Sequence, residues 1–169
     1  MTTLAIAGPY AARAGSLRVQ RPGVSDAANL LRGVIARAID DFSTSAIGQA
    51  RISEPAAALQ ELFAGCNAPN WDGEGAEPIT VATLSAAHEL LHALPAEIPI
   101  PEFLPEPVGR IAFEWYKSKH CIYVLSIGSD HSLEFAGLFG RGNEVHGKFN
   151  FSDVLPGIVL DHLRELLAR

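Results

Sequence analysis

The residues of this chain best suited to chemistry lie in AHELLHAL, residues 87–94, where His88, Glu89 and His92 make the pattern His-Glu-x-x-His. On a helix, positions 88 and 92 stand one turn apart on one face. Two imidazoles can then reach one Zn²⁺ while Glu89 serves as general base toward the metal's water. Such a site makes a hydrolase by delivering a hydroxide at neutral pH. It also needs a third protein ligand. The extended pattern of one large group of zinc hydrolases asks for Gly at 95 and His at 98, where this chain has Pro95 and Ile98. Others draw a ligand from a later helix, which here leaves Asp161, His162 and Glu165, with His162 or a glutamate as the choice. Those hydrolases place a sheet before this helix, whereas here the strand-like alternation follows it. A plainer account fits the spacing. Leu84, Ala87, Leu91 and Leu94 define a buried stripe, His88 falls at its inner edge, His92 on its shoulder and Glu89 toward solvent. The expectation is an amphipathic helix with two polar histidines and no cofactor, with zinc as the alternative.

Other constellations carry less. GNEVHGKF, residues 142–149, imitates a phosphate-cradling loop, but its last position is Phe149, which cannot ligate Mg²⁺, and the segment alternates like a strand. GSDHS, residues 128–132, gathers Ser, Asp and His as a turn between strands. His120 and Cys121 are adjacent, so on a strand they point to opposite faces. Glu114, Glu134 and His146 fall on polar strand positions; a solvated sheet face explains them better than an acid/base cluster. Asp72 and Glu74 lack the spacing of a calcium loop, and Trp71, Asp72 and Gly73 are read as a structural loop.

The chain has 169 residues, 48% of them hydrophobic, enough for one sizeable core. Its net charge of −6 argues against nucleic acid as the main ligand, because phosphate binding draws on clustered Lys and Arg. The charge is uneven: residues 1–24 hold Arg13, Arg18 and Arg21 and no acid, which leaves −9 on the rest. The cysteines, Cys66 and Cys121, have neither metal-site spacing nor the density of a disulfide scaffold, as expected of reduced thiols in a cytoplasm. No apolar run is long enough to span a membrane, and the opening MTTLAIAGPY lacks the positive region of a secretory signal.

The elements that must position these residues follow from periodicity. Residues 1–24 read as a flexible basic arm. Residues 25–66 read as two helices, one from a Ser25 or Asp26 cap to about residue 48, with Leu31, Val34, Ile35, Ala38 and Phe42 at helical spacing, and one after a Ser53 cap, with Pro55 in its first turn. Residues 67–169 read as an α+β module. CNAPNWDGEGAEP is a turn-rich loop, Thr80 to Leu94 a helix, and the proline-rich PAEIPIPEFLPEPVG a linker. RIAFEWY, CIYVLSI, HSLEFAGLF and EVHGKF alternate and are separated by tight turns, which predicts a four-stranded antiparallel β-meander. Ser152 or Asp153 then caps a C-terminal helix, with Leu155, Ile158, Val159, Leu163, Leu166 and Leu167 on one face, packed on one side of the sheet.

NWDGEGAEPI (70–79), a helix ending in LP (94–95), GRIAFEWY (109–116), LEFAGLFG (133–140) and VHG (145–147) together resemble a family of small bacterial proteins of uncharacterised function. The resemblance covers roughly residues 67–168. It implies a compact module of a helix, a meander and a closing helix, behind a variable N-terminal segment. It also implies that the helix at 80–94 does not generally carry His-Glu-x-x-His, which counts against zinc.

The functional expectation is a non-enzymatic cytoplasmic interaction or regulatory module, antitoxin-like, binding a protein partner or a second copy of itself. Arg13, Arg18, Arg21, Leu31, Ile35 and Phe42 are its expected contact residues. The alternative is a zinc-dependent hydrolase with His88, His92 and His162 as ligands and Glu89 as base.

Overall fold

The computed structural model describes residues 26–169, the side chains of 26–31, 36, 38–47 and 49 excepted. The arm with Arg13, Arg18 and Arg21, and the side chains of Leu31 and Phe42, lie outside the described residues. The chain divides into two units, Met1–Asp41 and Phe42–Arg169.

Helix α1 runs Asp26–Cys66 without the expected break near residue 50. Pro55 lies inside it. A proline there removes one backbone hydrogen bond and crowds the carbonyl four residues back, which belongs to Arg51. Tertiary contacts hold the segment helical regardless. The Arg51 guanidinium donates to Leu94 O and Ile98 O, Leu59 is fully buried, and Ile52, Ala56, Leu62 and Phe63 pack against the core. Ser53 is therefore no cap; its hydroxyl donates to Ala50 O within the helix.

Helix α2, Val81–Ala93, begins where the Thr80 hydroxyl accepts from Thr83 N and ends before Pro95. Five strands follow: β1 Glu102–Glu106, β2 Arg110–Ser118, β3 Cys121–Ile127, β4 Ser132–Phe139 and β5 Glu144–Asn150. They pair antiparallel in sequence order. The expected count of four missed β1, which lies inside the proline-rich stretch taken for a linker. Gly109 N donates to Glu106 O in the β1–β2 hairpin, so the even-numbered residues of β1 bond to β2 and the nitrogen of Pro105 faces outward. An edge strand tolerates proline at such a position. Phe103 holds the register, its ring edge-on to Phe113 at 4.9 Å. The closing helix α3, Gly157–Ala168, starts four to five residues after the caps expected at Ser152 or Asp153, behind Pro156 and without a side-chain cap.

The pairing sorts the two sheet faces. Ile111, Phe113 and Trp115 align with Ile127, Leu125 and Tyr123, then with Leu133, Phe135 and Gly137. This face meets α2 on β2 and β3 and α3 on β3 and β4, and supplies most of the core. Burial of this one face is the main driving force of the fold, worth about 2 kcal/mol for each large side chain removed from water. Trp115 Nε1 donates to Pro99 O at 2.8 Å, and Thr83 Oγ1 donates to Gly109 O at 3.1 Å, which fastens the preceding chain and α2 to β2. The opposite face carries Arg110, Glu114, Val124, Glu134 and Lys148.

Candidate functional site

The His-Glu-x-x-His residues line one groove of about 470 Å³ with Ser85, Ala93, Ser152 and Asp153. Periodicity on α2 places them: Leu84, Ala87, Leu90, Leu91 and Leu94 are buried, His88 is half-buried, and Glu89 and His92 are exposed. Gln60 Nε2 lies 3.3 Å from His88 Nε2. An amide nitrogen only donates, so this contact engages the lone pair with which His88 Nε2 would bind a metal. Desolvation, and secondarily the neighbouring His92, lower the pKa of His88 below its ordinary value. Glu89 is engaged as well, with Oε2 3.2 Å from His131 Nε2 and Oε1 receiving the Ser85 hydroxyl at 3.4 Å.

The structure brings His88 and His92 together but does not bring His162 to them. His162, on α3, sits among the rings of Tyr123, Phe135 and Phe139, each with its centroid 5.6 Å away. Its Nδ1 lies 3.3 Å from the Tyr123 hydroxyl, within hydrogen-bond reach, and burial pushes the pKa of that phenol strongly upward. Among the described residues no three His, Cys, Asp or Glu side chains are grouped to hold a metal ion. The third ligand expected from a later helix is therefore not supplied, because α3 packs on β3 and β4 and commits His162 to the aromatic core.

The loop residues Trp71, Asp72 and Gly73 form an interlocked turn. Asp72 Oδ1 accepts from Glu74 N at 2.8 Å and Ala76 N at 3.0 Å, Asn70 Oδ1 accepts from Gly75 N at 2.7 Å, and Trp71 Nε1 donates to Glu77 O at 3.0 Å. The N–H groups of Glu74 and then Ala76 hold the Asp72 carboxyl below the usual carboxylate range. Gly73, at φ 80°, occupies the left-handed region that the turn requires.

The open sheet face holds a cluster whose members the sequence shows only as alternating polar residues. Arg110, its side chain 14% exposed, donates from Nε to Ser126 Oγ at 2.8 Å, from Nη1 to Ser132 Oγ at 2.9 Å, and from Nη2 to Ser126 O at 2.7 Å and Ser132 O at 3.0 Å. Glu106 and Glu134 flank it at 3.8 Å. The guanidinium thus ties β2 to β3 and β4 and keeps little capacity for a ligand. Gly128 makes room for it: a Cβ there would stand 2.8 Å from Nη1. Glu134 also receives Lys148 Nζ at 2.9 Å, and Lys148 first, then Arg110, lower its pKa. Glu114 pairs in register with Glu102 and Val124, and His146 with Ala136, so the sheet holds Glu114 apart from His146, while Glu134 and His146 stand on neighbouring strands of one face. Glu106, Arg110, Ser126, Glu134, His146 and Lys148 line a shallow hollow of about 630 Å³, and Glu114 lies outside it.

In the N-terminal unit, the described side chains Arg32, Gly33, Val34, Ile35 and Arg37 are all exposed, with Val34 at 55% and Ile35 at 49%. No described helix is long and apolar enough to cross a membrane.

No protein-family model matches the chain, and neither does any curated protein or solved structure. The resemblance over residues 67–168 rests on its motifs alone.

Proposed function

We propose that the chain is a non-enzymatic, cytoplasmic interaction module of regulatory or antitoxin-like kind, which engages a protein partner, or a second copy of itself, through residues 1–48. The observation that carries this reading is the exposure of α1 on every side at residues 32–35. Four consecutive helical positions circle the axis, so this turn has no packed face among the described residues. Helices in proteins owe most of their stability to packing an apolar face, and here Val34 and Ile35 lack one. Leu31 and Phe42 share their helical spacing, and Arg13, Arg18 and Arg21 precede them. Three arginines without an acid complement an acidic surface, either a partner's or the −9 remainder of another copy. An apolar helix face laid in a partner's groove is the matching mode of recognition.

The test replaces Val34 and Ile35 by Asp in the full chain and, separately, deletes residues 1–24. Light scattering and co-purification from the native host are compared with the intact protein. Loss of the partner, or a smaller mass, with an unchanged melting temperature is the expected result. Unchanged mass and partners in both variants overturn the reading.

A second reading, a zinc hydrolase with His88 and His92 as ligands and Glu89 as base, draws on the groove that these side chains share. Stoichiometric zinc in tag-free protein, lost in His88→Ala, would establish it over the first.

A further inference from the structure

The sheet has two outer edges, and they differ. β1 presents Pro105, which cannot donate, and an edge proline is a recognised block to strand addition. β5 has seven residues, no proline, and no strand on its outer side among the described residues. Phe139 N donates to Asn143 O and Phe151 N to His131 O, so odd-numbered residues of this segment bond to β4. The N–H and C=O groups of Glu144, His146, Lys148 and Asn150 therefore point outward.

The side chains at these positions lie on the open sheet face, with an acid and a base placed symmetrically about His146. A strand of that pattern complements itself when run antiparallel. With a two-fold axis at His146, Glu144 faces Lys148 of the second copy, and Lys148 faces its Glu144. Since Lys148 already bonds Glu134 at 2.9 Å, its ammonium would stand between two carboxylates. The other sheet face agrees. Val145 would meet Gly147 of the second copy, a position without a side chain because the Phe135 ring lies 2.5 Å from where its Cβ would be. Moving the axis to Gly147 instead sets His146 against Lys148 and loses both ion pairs, so charge favours the His146 register over that one.

We propose that β5 is a homotypic docking strand, pairing antiparallel with β5 of a second copy about a two-fold axis at His146 and joining the two sheets into one. The inference is independent of the role given to residues 1–48.

Sedimentation equilibrium of the full chain tests it. The intact protein is expected to dimerise. His146→Pro removes an outward N–H and no bond to β4, and is expected to weaken the dimer about a hundredfold while circular dichroism stays unchanged. His146→Cys, in a Cys121→Ser background, is expected to cross-link the dimer under mild oxidation, because paired residues at this kind of site stand about 5.5 Å apart, within disulfide reach. A monomeric intact chain overturns the proposal, even if it takes up a strand from some other protein. So does a dimer that survives His146→Pro or fails to cross-link at residue 146. A dimer lost only when Val34 and Ile35 become Asp places self-association on α1, which removes this inference and leaves the proposed function standing.

Discussion

Glu89 Oε2 lies 3.2 Å from His131 Nε2, which ties helix α2 to the turn between β3 and β4. His131 holds a left-handed backbone conformation, φ 57°, that is uncommon outside glycine. The carboxylate that the His-Glu-x-x-His pattern would use as a base is thus engaged across the module, as His88 is by Gln60. Both contacts are partly exposed. Each is expected to contribute little to stability and much to the orientation of the side chains.

Replacing His88 and His92 by Ala together is therefore expected to cost about 0.5–1.5 kcal/mol in urea denaturation, the worth of one hydrogen bond and some packing. The metal content of tag-free protein should be the same before and after. A drop in bound zinc would establish the metal site.

His88 also predicts a pH dependence. Its folded-state pKa is lowered from the ordinary 6.5 by desolvation first and by His92 second, so below that pH the unfolded chain binds more protons than the folded one. Stability should fall as pH drops from about 6.5 toward the lowered value, and level off beneath it. His88→Asn should flatten the profile over that window. Urea midpoints at a series of pH values would show it, and an unchanged slope would refute it.

Arg110→Lys should be far from conservative. Lysine keeps the charge but not the planar fork that reaches Ser126 and Ser132 on two strands at once. A loss of about 3 kcal/mol is expected, since buried acceptors lose their donors beside Glu106 and Glu134. Thermal unfolding measures it, and a change within experimental error would mean that the cluster is only solvated surface.

Gly137→Ala tests the packing of the helix-covered face. The new Cβ would stand 2.5 Å from Tyr123 Cδ2 and 2.9 Å from Phe139 Cε2, and Tyr123 is fully buried. Overpacking of this kind costs about 1–3 kcal/mol. Gly65→Ala, on α1 with open space around the site, serves as the control and should cost less than Gly137→Ala.

Local rules were enough for what is local. Two-residue alternation and tight turns gave β2 to β5 to within a residue or so, because a sheet with one buried face imposes that period on its strands. Helical spacing and Pro95 gave α2, and within it the gradation from His88 to Glu89 that the structure shows. Where the sequence misled, a tertiary contact had overridden a local preference. Pro101 and Pro105 advertise a linker, but Phe103 against Phe113 makes β1 a strand on an edge where the missing N–H is not needed. Pro55 and Ser53 advertise a helix start, but the buried Leu59 and the reach of Arg51 to Leu94 O carry α1 through them. Its place on a later helix also made His162 a candidate third ligand for His88 and His92, since nothing in a linear pattern says which way a distant helix turns its face. The packing of α3 on Tyr123, Phe135 and Phe139 decided that. The Arg110 cluster had no sequence signal at all. Residues 106, 110, 126, 132 and 134 are polar positions spread over four strands, and only the register of the ladder, a long-range property of the sheet, sets them side by side.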